Sequence, residues 1–384
     1  MGLKDDASLA GHSSKTRVNK ANRRTVAARY NVKVLRGLEA MLLNDPEADI
    51  TTALTSTYSQ KLQSLKASAA ATPSQGRAKP PLPDDDIRSR LDENDPVNII
   101  FPPSAEVEAL FRGYDCLSAA IVSILDNSEV LYESAWAASV MVFRINENIV
   151  VKAGHAAYAI KEHQTLTFLQ KHLASFPVPK PHGLIRLGVY SFLFTSYIGG
   201  IDLEKAWPRL GCSQKHEISH QLDILLTDLR SLPVPDDAPL GDVAGCGCAD
   251  LRRTQRKSTE QIMSVDAFQE FIFSGSNTAS SLYTELLRDL MPRSTKVVLT
   301  HGDLRPANIM VRERDDGTWG IAGIIDWESS GFYPEYWETV KATNLLTPRE
   351  DFDWYKYIPR SISPSQYPIQ WLVDRVWDRS AANG

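Results

Sequence analysis

The stretch 299–328, LTHGDLRPANIMVRERDDGTWGIAGIIDWE, constrains the fold of this 384-residue chain more than any other part. It sets His301, Asp303, Asn308 and Asp326 in one short unit. Asp303 and Asn308 are five residues apart, and Asp326 follows eighteen residues later. Apolar runs at 297–299, 309–311 and 321–325 predict three short strands. The last two are joined by a polar loop, 312–320, with Asp316-Gly317 as its turn. A hairpin of those two strands carries Asn308 at its entry and Asp326 at its exit, so the two residues can share one cation. Their hard oxygen donors suit Mg²⁺. Pro306 fixes its own φ and stiffens the intervening loop. The order H-x-D-x-x-x-x-N, then a strand ending in Asp, is the arrangement that phosphoryl transfer needs. One carboxylate faces the attacking hydroxyl, while an amide and a second carboxylate hold Mg²⁺ on the phosphates. Turn chemistry alone accounts for Gly302 and Asp303. It accounts for neither Asn308 nor Asp326 at their spacing.

Residues 301–311 (HGDLRPANIMV) and 324–328 (IIDWE) resemble the aminoglycoside phosphotransferase family, within the wider protein-kinase-like superfamily. HGD rather than HRD, and IDWE rather than DFG, favour the small-molecule branch. The segment 331–338 (GFYPEYWE) is similar to the stretch just after IDWE in many fungal members. The resemblance covers roughly residues 98–384.

The resemblance implies an α+β, bilobal protein-kinase-like fold that binds ATP and Mg²⁺. A small N-lobe of antiparallel strands with one key helix occupies 98–199, and a mainly helical C-lobe occupies 200–384. The implied reaction moves the γ-phosphoryl group of ATP to a hydroxyl of a small molecule, whose identity stays open. Asp303 orients or deprotonates that hydroxyl, and Asn308 and Asp326 bind the metal. Lys152 ends an apolar strand at 148–152 (NIVVK) and matches the lysine that holds the α/β-phosphates. Ten residues on, Glu162 lies in an expected helix over 156–173, with Ile160, Leu166 and Leu169 at helical spacing, and braces Lys152. The strand 190–196 breaks at Tyr197-Ile198-Gly199-Gly200, which resembles the interlobe hinge. By that match the backbones of Ser196 and Ile198 face adenine. His301 is expected to brace the catalytic loop, and His155 to be a loop residue.

One departure stands out. The stretch matching the phosphate-covering loop, 133–144 (ESAWAASVMVFR), has no glycine. Small residues still let a backbone approach closely. Two rival readings arise: a pseudokinase or scaffold that lost turnover, and a protein Ser/Thr kinase. The intact Lys152, Asp303, Asn308 and Asp326 set opposes the first. The HGD and IDWE variants, and the lack of an A-P-E segment, oppose the second.

Composition agrees. A hydrophobic content of 43% is enough for a packed core, and a net charge of −5 argues against a nucleic-acid partner. Cys116, Cys212, Cys246 and Cys248 form no zinc pattern and are expected to be free thiols. No apolar run reaches the ~18–20 residues of a membrane span. The N-terminus does not read as a signal peptide or a myristoylation site, so the cytoplasm is the expected compartment. Residues 1–97 divide into a basic tail, two amphipathic helices and a proline-rich linker. The segment 7–38 holds eight Lys/Arg and no acid, which leaves a mitochondrial or nuclear address open. Helices are expected over 25–43 and 50–65, packed on the kinase core or on a second copy as a homodimer, and 70–96 reads as the linker. A further helix is expected over 217–229. Trp337, Trp354, Trp371 and Trp377 are expected in the core.

Overall fold

The computed structural model describes residues 58–69, 86–134, 140–235, 237–250, 256–274 and 279–382, with Leu82 and single positions between 30 and 49. The chain divides into two compact units, Met1–Pro81 and Leu82–Gly384. In the first, helix α1 spans Tyr58–Ala69. Tyr58 stacks on Tyr30 at 5.8 Å, and its hydroxyl donates to Asn31 Oδ1 at 2.8 Å. Tyr30, Asn31, Val34, Leu35, Leu38, Met41 and Leu42 are helical, within the expected helix over 25–43. The remainder of that helix, and the expected start at 50, lie outside the described residues.

The second unit begins with an antiparallel sheet. Its strands are β1 (Val97–Phe101), β2 (Glu129–Glu133), β3 (Met141–Arg144), β4 (Ile149–Gly154), β5 (Pro181–Leu187) and β6 (Tyr190–Ser196), ordered β1-β5-β6-β4-β3-β2. Strand β6 is central and buried on both faces. Side chains alternate across a strand, so Phe192 and Phe194 enter one core with Phe143, Val151 and Ile185, while Leu193 enters another with Leu184 and Ala159. Two helices, α2 (Ala105–Leu110) and α3 (Leu117–Asp126), contribute Val107 and Ile121 to the first core. Helix α4 (Ala156–His172) brings Ala159 to the second. Residues 86–96, read from composition as the end of a linker, include the 3₁₀ turn Ile87–Arg90. Its Ile87 is fully buried in the first core.

The chain then passes through the two-residue strand β7 (Ile201–Asp202) into helices α5 (Leu203–Ala206) and α6 (Cys212–Arg230). Ile218, Leu222, Leu226 and Leu229 form the buried stripe of α6, at the spacing one helix face requires. A short pair, β8 (Ala249–Asp250) and β9 (Arg256–Lys257), precedes α7 (Val265–Phe273) and α8 (Ser281–Asp289). Strand β10 (Val297–Thr300) leads into the motif region, β11 (Ile309–Glu313) and β12 (Trp319–Ile324) form the hairpin, and β13 (Gly331–Pro334) returns to pair with β10. Helices α9 (Trp337–Ala342) and α10 (Pro368–Ala382) close the chain. Trp337, Trp354 and Trp377 are buried, whereas Trp371 is half-buried and donates its Nε1–H to Thr343 Oγ1 at 2.9 Å. The architecture is α+β, as the sequence implied: an antiparallel sheet with one long helix, followed by a mainly helical part.

Candidate active site

The hairpin β11–β12 pairs Ile309 with Ile324. This sets Asn308 and Asp326 at neighbouring strand ends, and the Ile325 N–H donates to the Asn308 carbonyl at 3.0 Å. Asn308 is buried, and its side-chain amide is already engaged. Nδ2 donates to the Asp303 carbonyl at 2.8 Å and to Asp303 Oδ2 at 3.0 Å. Asp303 Oδ2 also accepts from Arg305 Nε at 3.2 Å. The Asp303 carboxylate is thereby fixed on one edge and remains well exposed, with 42% of its side-chain surface open. Burial would lower the Arg305 pKa, but attraction from Asp303 and Asp326 raises it above its ordinary value.

His301 is fully buried. Its Nδ1 accepts from the Asp303 N–H at 3.2 Å, and its Nε2 lies 3.1 Å from the Ile325 carbonyl. The ring therefore ties the 301–303 turn to the end of β12, as a brace does. A second support has no spacing signal in the sequence. The Glu338 carboxylate on α9 is buried and accepts from the backbone N–H groups of His301 at 2.6 Å and Gly302 at 3.2 Å. Its one sequence signal is its place as the last letter of GFYPEYWE. Gly302 has φ +77°, and a Cβ there would stand 2.3 Å from the Ser329 carbonyl oxygen. Only glycine fits both constraints.

Strand β4 delivers Lys152 to the same place. Its Nζ donates to Glu162 Oε2 on α4 at 2.8 Å, to Asp326 Oδ1 at 2.5 Å and to Glu328 Oε2 at 2.8 Å. One ammonium thus faces three carboxylates. Glu328 stands in the IDWE motif, but nothing in its spacing announces a partner 176 residues upstream. Burial would lower the Lys152 pKa, yet the attraction of Asp326, Glu162 and Glu328 holds it well above its ordinary value. Burial likewise works to raise Asp326, and Lys152 overrides it and lowers the pKa. Glu328 goes the other way: burial, reinforced by repulsion from Asp326 and Glu162, outweighs Lys152 and raises it. Asp326 itself has φ +70° and ψ +61°, the left-handed region that a non-glycine residue adopts only where its surroundings impose it.

Ligand oxygens of Glu162, Asp326 and Glu328 all lie within 4.8 Å of one another. Hard oxygen donors with an excess of negative charge over Lys152 suit a divalent cation such as Mg²⁺. At the hinge, the Ser196 N–H donates to the Lys180 carbonyl at 2.9 Å, so that amide is committed within the sheet region. Ile198 packs close to Gly323. Of the loop 133–144, residues 135–139 lie outside those described. His155 caps α4 by accepting from the Ala157 N–H. All four cysteines are free, and burial pushes the Cys248 thiol up to about 12. Among the described residues, no helix is long and apolar enough to cross a membrane.

Among known proteins, the model of the phosphotransferase enzyme family, APH, matches residues 132–366, a span that holds Lys152, Glu162, Asp303, Asn308, Asp326, Glu328 and Glu338. No curated protein matches the chain by sequence. Similar solved structures include a thermostable mutant of the aminoglycoside phosphotransferase APH(4)-Ia in ternary complex with AMP-PNP and hygromycin B. It is 14% identical, with 67% of this chain and 87% of that chain covered and a TM-score of 0.43. The streptomycin–ATP–APH(2")-IIa ternary complex is 14% identical, with 72% and 86% covered and a TM-score of 0.42. A putative fructosamine-3-kinase from Haemophilus somnus is 13% identical, with 67% and 89% covered and a TM-score of 0.40. With well over half of its length matched by the family model, the chain belongs to the phosphotransferase enzyme family.

Proposed function

We propose that this phosphotransferase moves the γ-phosphoryl group of Mg·ATP to a hydroxyl of a small molecule. Asp303 receives or orients the hydroxyl proton from its exposed carboxylate edge, the other edge being held by Asn308 and Arg305. Lys152, braced by Glu162, meets the α/β-phosphates. Asp326, with Asn308 beside it, binds the cation, which when bound neutralises charge on the phosphates. The backbones of Ser196 and Ile198 face the base. The chain's contribution is positioning and charge neutralisation, which is most of what phosphoryl transfer asks of a protein.

The observation that carries this reading is the contact of Lys152 Nζ with both Glu162 and Asp326, at 2.8 and 2.5 Å, from three separate stretches of chain. A thermal-shift titration tests it. Mg·ATP should stabilise the protein by mass action. Asp326→Ala should lose the extra stabilisation that Mg²⁺ gives over ATP alone, because it removes a charged metal ligand. Equal Mg²⁺ enhancement in the variant would move the metal elsewhere. The absence of any shift at millimolar Mg·ATP would favour a scaffold that has lost nucleotide binding.

A further inference from the structure

Taking Lys152 as the group that meets the phosphates and Asp326 as a metal ligand, we infer that Lys152 and the divalent cation compete for Asp326 and Glu328. A polyphosphate then admits the metal by drawing Lys152 away from both. An ammonium has three N–H donors and no acceptor. Lys152 spends them on three carboxylates: Glu162 Oε2 at 2.8 Å, Asp326 Oδ1 at 2.5 Å and Glu328 Oε2 at 2.8 Å. No donor is left over for a phosphate oxygen, so Lys152 must release at least one carboxylate to reach one.

The cluster thus already holds a cation, the lysine's own. Oxygens of the same three residues lie within 4.8 Å of one another. A metal ion among them would stand against the ammonium, and two positive charges at that range repel. Three carboxylates outnumber one ammonium, so the attraction for a divalent cation is there. What opposes it is the lysine.

The three carboxylates are not equally able to let go. Glu162 is buried, and its other oxygen, Oε1, accepts from the Trp327 N–H at 3.3 Å. That bond ties Glu162 to the backbone between Asp326 and Glu328, so its contact with Lys152 is built into the fold. The side chains of Asp326 and Glu328 instead keep 29% and 30% of their surface open. Lys152 stands at the end of a flexible four-carbon stem. It can turn two donors from Asp326 and Glu328 to phosphate oxygens while the third stays on Glu162. A metal ion alone meets the lysine, whereas Mg·ATP brings the anion that removes it.

The test is calorimetry and thermal shift with Mg²⁺ alone, and then with Mg·ATP, on wild type and Lys152→Met, which keeps most of the stem without its charge. Lys152→Met should bind Mg²⁺ alone about tenfold or more tighter than wild type, the scale of one partly screened charge contact. Its melting temperature, lowered in a chelator, should rise with Mg²⁺. Wild type should respond little to Mg²⁺ alone and strongly to Mg·ATP. If Lys152→Met fails to fold by circular dichroism, the double variant Lys152→Met/Glu328→Gln decides, since it removes one charge of each sign. It should bind Mg²⁺ alone more tightly than Glu328→Gln does. Wild type that binds Mg·ATP, and binds Mg²⁺ alone as tightly as Lys152→Met, overturns the inference while leaving the phosphotransferase reading standing. No Mg·ATP binding by wild type overturns both, because nothing then draws the lysine away.

Discussion

Glu328 shows how a single residue sets the balance between stability and chemistry at this site. Its carboxyl is held above its ordinary pKa of 4.5 by burial and by its acidic neighbours. A carboxyl raised in the fold binds more protons there than in the unfolded chain. Stability from Glu328 therefore falls as pH rises from that ordinary value through the raised one. Glu328→Gln should remove this penalty. Its melting temperature at pH 7 should exceed the wild type's, and its stability should fall less as pH rises through that window. A lower melting temperature for Glu328→Gln at pH 7 would mean that the bond to Lys152 outweighs the repulsion. Asp326 has the opposite sign: its lowered pKa adds stability at neutral pH that is lost as pH falls below the ordinary carboxylate range. Neither effect is legible in sequence: the first depends on burial and on acids that the fold gathers, the second on a lysine 174 residues away.

At the scale of elements, the 301–303 turn is the most constrained piece. Two amides are held by Glu338, the His301 ring reaches the Ile325 carbonyl just past β12, and a Cβ on Gly302 would collide with the Ser329 carbonyl. The letters HGD thus have a steric reason. Gly302→Ala forces a Cβ into backbone at a positive φ, which should destabilise the protein by about 2 kcal/mol or more and depress turnover. Denaturant unfolding checks the stability, and an unchanged midpoint would show that the turn can shift. The β11–β12 hairpin, the strand 190–196 and helix α4 were legible, because alternation and helical spacing are local signals. Helix α6 begins five residues before the expected 217, at Cys212. Residues 212–216 are polar and carry no apolar period, and the helix start is fixed by a polar contact, Gly211 N–H to Gln214 Oε1 at 3.0 Å. The left-handed backbone at Asp326 gave no signal either, since an aspartate at a strand end tolerates that region without requiring it.

At the scale of the whole molecule, the motif order from Lys152 to Asp326 was readable, and the three-carboxylate arrangement around Lys152 was not. The fold brings Lys152 into contact with Glu162 and Asp326. Glu328 and Glu338, which complete the charge cluster and the loop, are visible only once the sheet, α4 and α9 are folded together. The central claim is that this assembly serves Asp303 as the residue facing the acceptor hydroxyl. Its most direct test is the rate of phosphoryl transfer from Mg·ATP to a metabolite library by wild type and Asp303→Asn, with product read by mass. Wild type should give a phosphorylated product. In Asp303→Asn kcat should be lower by about 10²-fold or more, the usual scale for a positioned general base, with Mg·ATP binding unchanged. Turnover by Asp303→Asn at the wild-type rate would contradict it.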